Sequence, residues 1–171
     1  MLEKEQIKSI FKNNAVYIDE SVLTSYCFID FINENYQWLK ENNFKFHIHK
    51  GIKDALIYSP RFMKVKDLGF ATIEVLQEKG MIEYFGEEEI YEPIKYIEHF
   101  VMNYLTENIV MFSNNPNLSK DIITINHFSA LSNLRQITVF RVNKCGEIGY
   151  FNNKTGMESN NYEGIKERVA V

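Results

Sequence analysis

Apolar residues along this chain switch repeatedly between short continuous runs and stripes recurring every three to four residues, a pattern that predicts strands alternating with helices. Asn14-Ala15-Val16-Tyr17-Ile18-Asp19 is a β-rich run that predicts a first buried strand, with Glu20 and Ser21 following in a polar loop. From Val22 to Lys40, Phe28, Phe31, Ile32, Tyr36 and Leu39 recur at helical spacing, and Asn42-Asn43 closes the element. Phe44 to Ile48 alternates as a second strand, and Gly51 precedes a short helical segment through Leu56 to Pro60. Leu68 to Lys79 predicts a helix stopped by Gly80, and Met81 to Phe85 a short strand. Pro93 opens a helix carrying Ile94, Ile97, Val101, Tyr104 and Leu105. The strand Ile109 to Phe112, a turn at Ser113-Asn114-Asn115-Pro116, a short helix from Asn117 to Thr124, and strands over Gln136–Val142 and Glu147–Phe151 complete the order.

Strands separated by helices imply right-handed crossovers, and so an α/β fold: three layers, α/β/α, around a mainly parallel sheet. Functional loops in such folds lie at the carboxyl ends of the strands, where Asp19 and Asn115 fall. At 171 residues the chain has the length for one substantial core and not for two. No repeat or linker divides it, so residues 1–151 are expected to form a single domain and the Asn-, Gly- and Glu-rich residues 152–171 a mobile tail. No run approaches the roughly 18 apolar residues of a membrane helix, and Met1 to Lys12 lacks the apolar centre of a secretory signal. A cytoplasmic protein without membrane association is the expectation. Cys27 and Cys145 show no metal-site spacing and no disulfide framework.

A formal net charge of -4 argues against nucleic-acid binding by the overall field, but charge is locally segregated. Between Phe44 and Lys66 stand Lys45, Lys50, Lys53, Arg61, Lys64 and Lys66 against Asp54 alone, a patch suited either to phosphate or to plain solvation. From Glu83 to Glu98 the pattern reverses, with Lys95 the sole cation among six glutamates. His47 and His49 share one strand face beside Lys50, a spacing compatible with metal or phosphate, though no third ligand accompanies them. Tyr17, Phe46, Tyr58 and Phe62 near the basic stretch fit either a core or stacking on unpaired bases. Phosphate-loop, dinucleotide, nucleophile-elbow and zinc-protease motifs are missing, which removes the usual signals for those chemistries.

Two segments in order, Val16-Tyr17-Ile18-Asp19-Glu20-Ser21-Val22-Leu23 and Ile109 through Ile122 with the turn Ser113-Asn114-Asn115, continue into Asn126, Ile137–Val142 and Gly146. Together they resemble the PIN domain family of metal-dependent ribonucleases, especially its bacterial members, over about Val16 to Phe151. The resemblance implies acidic residues at strand ends holding one or two Mg²⁺ or Mn²⁺ ions for water-driven phosphodiester hydrolysis in RNA. Asp19 matches the first family acid and Ser21 the small polar residue supporting it. In the segment of the second acid, Ile52-Lys53-Asp54-Ala55-Leu56, Ala55 stands where the family has glutamate, with Asp54 adjacent. The third acid is Glu92 or Glu98, Glu92 having the helix-start position. Asn115 stands at the fourth acid in the turn opened by Ser113, and Asp121 is the acid just downstream.

Asp19, Glu92 and Asn115 are thus the implied catalytic set and, with Asp54 and Asp121, the implied metal ligands; Ser21, Lys50, Lys53 and Ser113 are the implied substrate contacts. Each has a plainer role: Asp19 as a helix cap, Glu92 on a helix dipole, Asp121 on a solvated face. Two functions follow from the resemblance: an endoribonuclease acting on single-stranded RNA, or a catalytically inactive RNA-binding or protein-interaction module of a bacterial stress or defence system. The family often dimerises, so a homodimer accompanies either. An unrelated α/β domain using the acidic Glu87-Glu88-Glu89 loop as a contact is the third reading.

Overall fold

A computed structural model describes residues 4–12, 14–89, 92–103, 108–115, 117–118, 121–122, 137–142, 148–152 and 157–159. Five strands run parallel, β1 (Asn14–Ile18), β2 (Phe46–His49), β3 (Ile82–Phe85), β4 (Asn108–Phe112) and β5 (Thr138–Val142). To these β6 (Ile148–Asn152) and β7 (Met157–Ser159) add antiparallel. Spatial order is β3-β2-β1-β4-β5-β6-β7. The chain therefore steps outward from β1 to β3, then crosses back past β1 to β4. That reversal makes a topological switch point between β1 and β4. The fold is the three-layer α/β/α arrangement that the alternating pattern implies.

The helices are α1 (Lys4–Lys12), α2 (Glu20–Leu23), α3 (Tyr26–Glu41), α4 (Ile52–Tyr58), α5 (Lys66–Glu78) and α6 (Pro93–Asn103), with a 3₁₀ turn at Pro60–Phe62. Side chains alternate across the sheet with the strand period of two. Phe46 meets Phe11, Phe28 and Phe44 on one face. Tyr17, His47 and Phe85 meet Phe100 of α6 on the other. Both faces are covered, which is why the parallel strands read as nearly unbroken apolar runs rather than as strict alternation. No helix among the described residues is long and apolar enough to cross a membrane.

Three departures from the sequence expectations stand out, the first with a clear local cause. The stripe from Val22 to Lys40 predicts one helix, but the chain breaks into α2 and α3 at Thr24 and Ser25. Thr24 Oγ1 donates back to the Glu20 carbonyl (2.7 Å), and Ser25 is extended (φ -114°, ψ 124°), so the backbone bends before the next helix. The charged N-terminal stretch gave no strand or helix signal, yet it forms α1. Ile10 and Phe11 are buried and Ile7 packs beside them, an i, i+3, i+4 stripe set among charged residues. Met157–Ser159, inside the stretch expected as a tail, pairs with β6. Of the expected 117–124 helix, Asn117–Leu118 and Asp121–Ile122 are helical and the rest lies outside the described residues. Gly80 does stop α5: at φ 65° it lets Met81 N–H reach the Leu76 carbonyl (2.8 Å) and its own N–H the Gln77 carbonyl (2.9 Å).

Phe11 ties the first helix to the rest of the core. Its ring packs on Phe31, Trp38, Phe44, Phe46 and Phe112, with centroids 4.5 to 6.0 Å away. Phe11→Ala is expected to cost about 3–5 kcal/mol, read as a lower urea midpoint at unchanged slope. A loss below about 1 kcal/mol would show that α1 is not part of the cooperative core.

Candidate functional site

The switch point sets two loops side by side. In the β1–β4 register Ile18 lies opposite Phe112, so Asp19 and Ser113 are the next residues out of neighbouring strands. Asp19 N–H donates to the Phe112 carbonyl (3.3 Å), carrying the pairing one step into the loops. Asp19 is buried, and four donors reach its carboxylate. Oδ1 accepts from Ser21 N–H (3.0 Å), Ser21 Oγ (2.5 Å) and Val22 N–H (3.2 Å); Oδ2 accepts from Ser113 Oγ (2.5 Å). The two hydroxyls pass the network on, Ser21 Oγ accepting from Asn114 N–H (2.8 Å) and Ser113 Oγ from Asn115 N–H (3.1 Å). Burial pushes the Asp19 carboxyl up, against the pull of those hydrogen bonds.

Asn115 is buried as well, and its Oδ1 accepts from Asn117 N–H (3.1 Å) and, loosely, Leu118 N–H (3.5 Å). It caps the next helical turn as Asp19 caps α2. Two of the expected ligands are therefore also the pins that start the elements after β1 and β4.

Around them the structure gathers some of the expected residues and leaves others apart. A small cavity of about 160 Å³ is lined by Arg61, Glu92, Asn115 and Asp121, with Pro93, Ile94, Asn117 and Leu118. Glu92 belongs there; Glu98 instead pairs with Lys95 on an exposed face (2.7 Å). Asp54 is half-buried on α4 and does not line the cavity, while Ala55 faces the core. Arg61, from the turn after α4, supplies the cavity's cation, a place the sequence reading had given to Lys50 and Lys53. Lys50 and Lys53 also stay off the cavity wall; Lys53 Nζ lies 5.0 Å over the Tyr84 ring. Among the described residues no three Asp, Glu, His or Cys side chains stand close enough together to hold a metal ion as they lie.

Glu20 is the residue that the sequence reading passed over. It follows Asp19 directly and is buried, and its Oε2 has no hydrogen-bond partner among the described residues. Burial and then the neighbouring Asp19 carboxylate push it up to about 7, with Arg61 among the groups drawing it back. Two acids in a row at a strand end were the available signal. Only packing shows that the second turns inward.

The histidines are accounted for by the core. His47 Nδ1 donates to the Val16 carbonyl (3.2 Å), and its Nε2 lies 3.8 Å from Glu83. His49 Nδ1 accepts from Gly51 N–H (3.0 Å), which fixes the proton on Nε2, 2.9 Å from Nδ1 of His99. The His49 ring stacks on Tyr96 (4.3 Å), and Gly86, at φ 73°, passes so close that a Cβ there would strike the imidazole. Burial first, then His99 and Lys50, lowers His49 to about 4. Of the four aromatics near the basic stretch, Tyr17, Phe46 and Phe62 are buried, and Tyr58 alone is exposed.

Against this geometry the comparisons are silent. No protein-family model, curated protein or solved structure matches the chain.

Glu20 and His49 pull stability in opposite directions with pH. His49 is lowered on folding, so its contribution is present above about pH 6.5 and lost as pH falls toward 4. Glu20 is raised, so its contribution is present below about pH 4.5 and lost as pH rises through 7. Glu20→Gln, which mimics the neutral acid, is expected to be more stable than the native chain by about 1–3 kcal/mol at pH 8 and by much less at pH 5. Urea unfolding at both pH values measures it; equal effects at the two would mean that Glu20 titrates normally.

Proposed function

We propose that the chain is a PIN-like domain of the cytoplasm that binds single-stranded RNA at the carboxyl ends of β1 and β4 and slowly hydrolyses its phosphodiester bonds with Mg²⁺ or Mn²⁺. The convergence of Glu92, Asn115, Asp121 and Arg61 on one cavity beside Asp19, at the switch point, carries this reading. Ligands in open α/β sheets bind in that crevice. Oxygen donors of this kind suit a hard divalent cation, and the orphaned Glu20 Oε2 is a buried acceptor still lacking a partner among the described residues. Glu92 and Asp121 would hold the ion at the cavity wall, with the Asn115 carbonyl as a weaker neutral ligand and the Asp19 carboxylate behind it, and these side chains would have to close in on it from where they lie. Bound there, it would supply an activated water and positive charge at the phosphate.

The chain's own residues do the rest. Ser21 and Ser113 fix the Asp19 carboxylate by hydrogen bonds to both of its oxygens. Arg61 offers a guanidinium from the cavity wall, with no ion pair among the described residues, to a non-bridging phosphate oxygen. Because Asp19 already accepts four hydrogen bonds and Ala55 contributes no carboxylate, affinity for the ion is expected to be in the millimolar range.

Calorimetric titration with Mn²⁺, beside cleavage of a labelled single-stranded RNA, tests the reading. Glu92 is exposed, so Glu92→Ala should fold normally, yet weaken Mn²⁺ at least about tenfold, roughly 1.4 kcal/mol, and slow cleavage. Native protein that neither binds Mn²⁺ at millimolar concentration nor cuts RNA would end the hydrolytic reading. A second reading, the same domain binding RNA or a protein without cutting, is favoured by one observation: Asn115 spends its Oδ1 on capping N–H groups. RNA binding that is indifferent to Mn²⁺ and leaves the strand intact would select it.

A further inference from the structure

Of the six exposed large apolar side chains among the described residues, four lie within the stretch 57–65: Ile57, Tyr58, Met63 and Val65. Tyr58 is 70% exposed and Met63 69%. Exposed cations alternate with them, Arg61, Lys64 and Lys66, and Asp67 is the one acid between 57 and 67. The elbow joining α4 to α5 is built firmly. Ser59, Phe62, Val65 and Gly69 N–H groups donate in turn to the carbonyls of Ala55, Ser59, Phe62 and Val65, at 2.9 to 3.1 Å. Phe62 is buried beneath it, and Gly69 packs so tightly that a Cβ there would come within 2.9 Å of Leu56 Cδ1. Its apolar exposure therefore belongs to a fixed surface and not to a loose loop.

Arg61 belongs both to this elbow and to the cavity at the switch point. We infer that the α4–α5 elbow is the track along which single-stranded RNA reaches that cavity, with Tyr58 stacking on a base and Lys64, Lys66 and Arg61 following the phosphates. The inference rests on the proposed RNA site and does not require hydrolysis. Its charge decides the kind of partner: three cations against one acid, on a chain of net charge -4, complement a polyanion. Lysine is depleted from the centres of protein–protein contacts, yet here Lys64 and Lys66 flank Val65 in the middle of the patch. An exposed ring rewards unpaired bases, whose faces are open, and gains little from a duplex.

Fluorescence anisotropy with a labelled single-stranded RNA of about ten nucleotides, in EDTA so that no cleavage occurs, tests it against Tyr58→Ala, Tyr58→Phe and the double variant Lys64→Ala/Lys66→Ala. All three positions are exposed, so circular dichroism should show unchanged folds. Tyr58→Ala is expected to bind on the order of 10- to 100-fold more weakly and Tyr58→Phe like the native chain. The double lysine variant should lower the slope of log affinity against log salt by about 1.4. Native protein that fails to bind RNA at low salt, or Tyr58→Ala and the double lysine variant binding like it, overturns the track. Self-association lost in Tyr58→Ala with RNA affinity unchanged would also overturn it and assign the elbow to a protein contact. The two proposals fail separately: cleavage by Tyr58→Ala with native kcat and KM removes the track and leaves hydrolysis, whereas the expected binding pattern without cleavage in Mn²⁺ does the reverse.

Discussion

A buried carboxylate is the constraint around which the described centre of this molecule is arranged. Withdrawing Asp19 from water would cost several kcal/mol if its oxygens were left bare. Four donors prevent that, and they come from both sides of the switch point: the start of α2 and the loop after β4. Three come from Ser21 and Val22 at the start of α2 and the fourth from Ser113 after β4, so both loops must be in place. The strand register brings Ser113 opposite, the bend before α3 frees α2 to begin at Glu20, and the Ser21 hydroxyl must both donate to Asp19 and accept from Asn114. One buried carboxyl group thereby demands that several elements agree, which is how a polar residue in a core contributes to a single arrangement.

The same carboxylate shapes the electrostatics beside it. Glu20 is buried next to it without the same hydrogen-bond support and so holds its proton toward neutral pH. Tyr17, buried one residue before Ile18, is pushed up by burial and by both acids. On the opposite slope of the titration, His49 is kept neutral by burial and then by the neighbouring His99 and Lys50. The fold thus places acids that resist ionising and an imidazole that resists protonation near one end of one sheet. Between about pH 4.5 and 6.5 their effects on stability oppose each other.

How much of this could be read in advance follows from the range of each signal. Strand existence and order came from runs and stripes of four or more residues, and β1 through β6 are found within one or two residues of where the pattern put them. α1 was legible in the stripe Ile7, Ile10 and Phe11, but that stripe is short and sits in a stretch read only for its charge. The break at Thr24 and Ser25 was missed because it is made by a side chain competing for the backbone, which leaves no mark on periodicity. At the site, Asp19, Glu92, Asn115 and Asp121 were singled out and three of them share one cavity wall. Asp54 was not brought in, since a helix neighbour of Ala55 projects about 100° away from it. Arg61 and Glu20 entered the site through tertiary packing, one from a basic patch that the sequence left open between phosphate and solvent, the other from a position read as a polar loop.

The outer strand β3 has a consequence for how copies of the chain can meet. It is only four residues long, it bonds β2 on one side, and the middle of it carries Glu83 half in water. A short edge bearing a charged side chain is a poor template for another chain, because extending the sheet there would draw the carboxylate further out of water. Strand-to-strand growth at β3 is therefore disfavoured, which lowers the hazard of fibrous aggregation from that side. It also steers any paired assembly of this protein toward helix faces and loops instead of a continuous intermolecular sheet through β3.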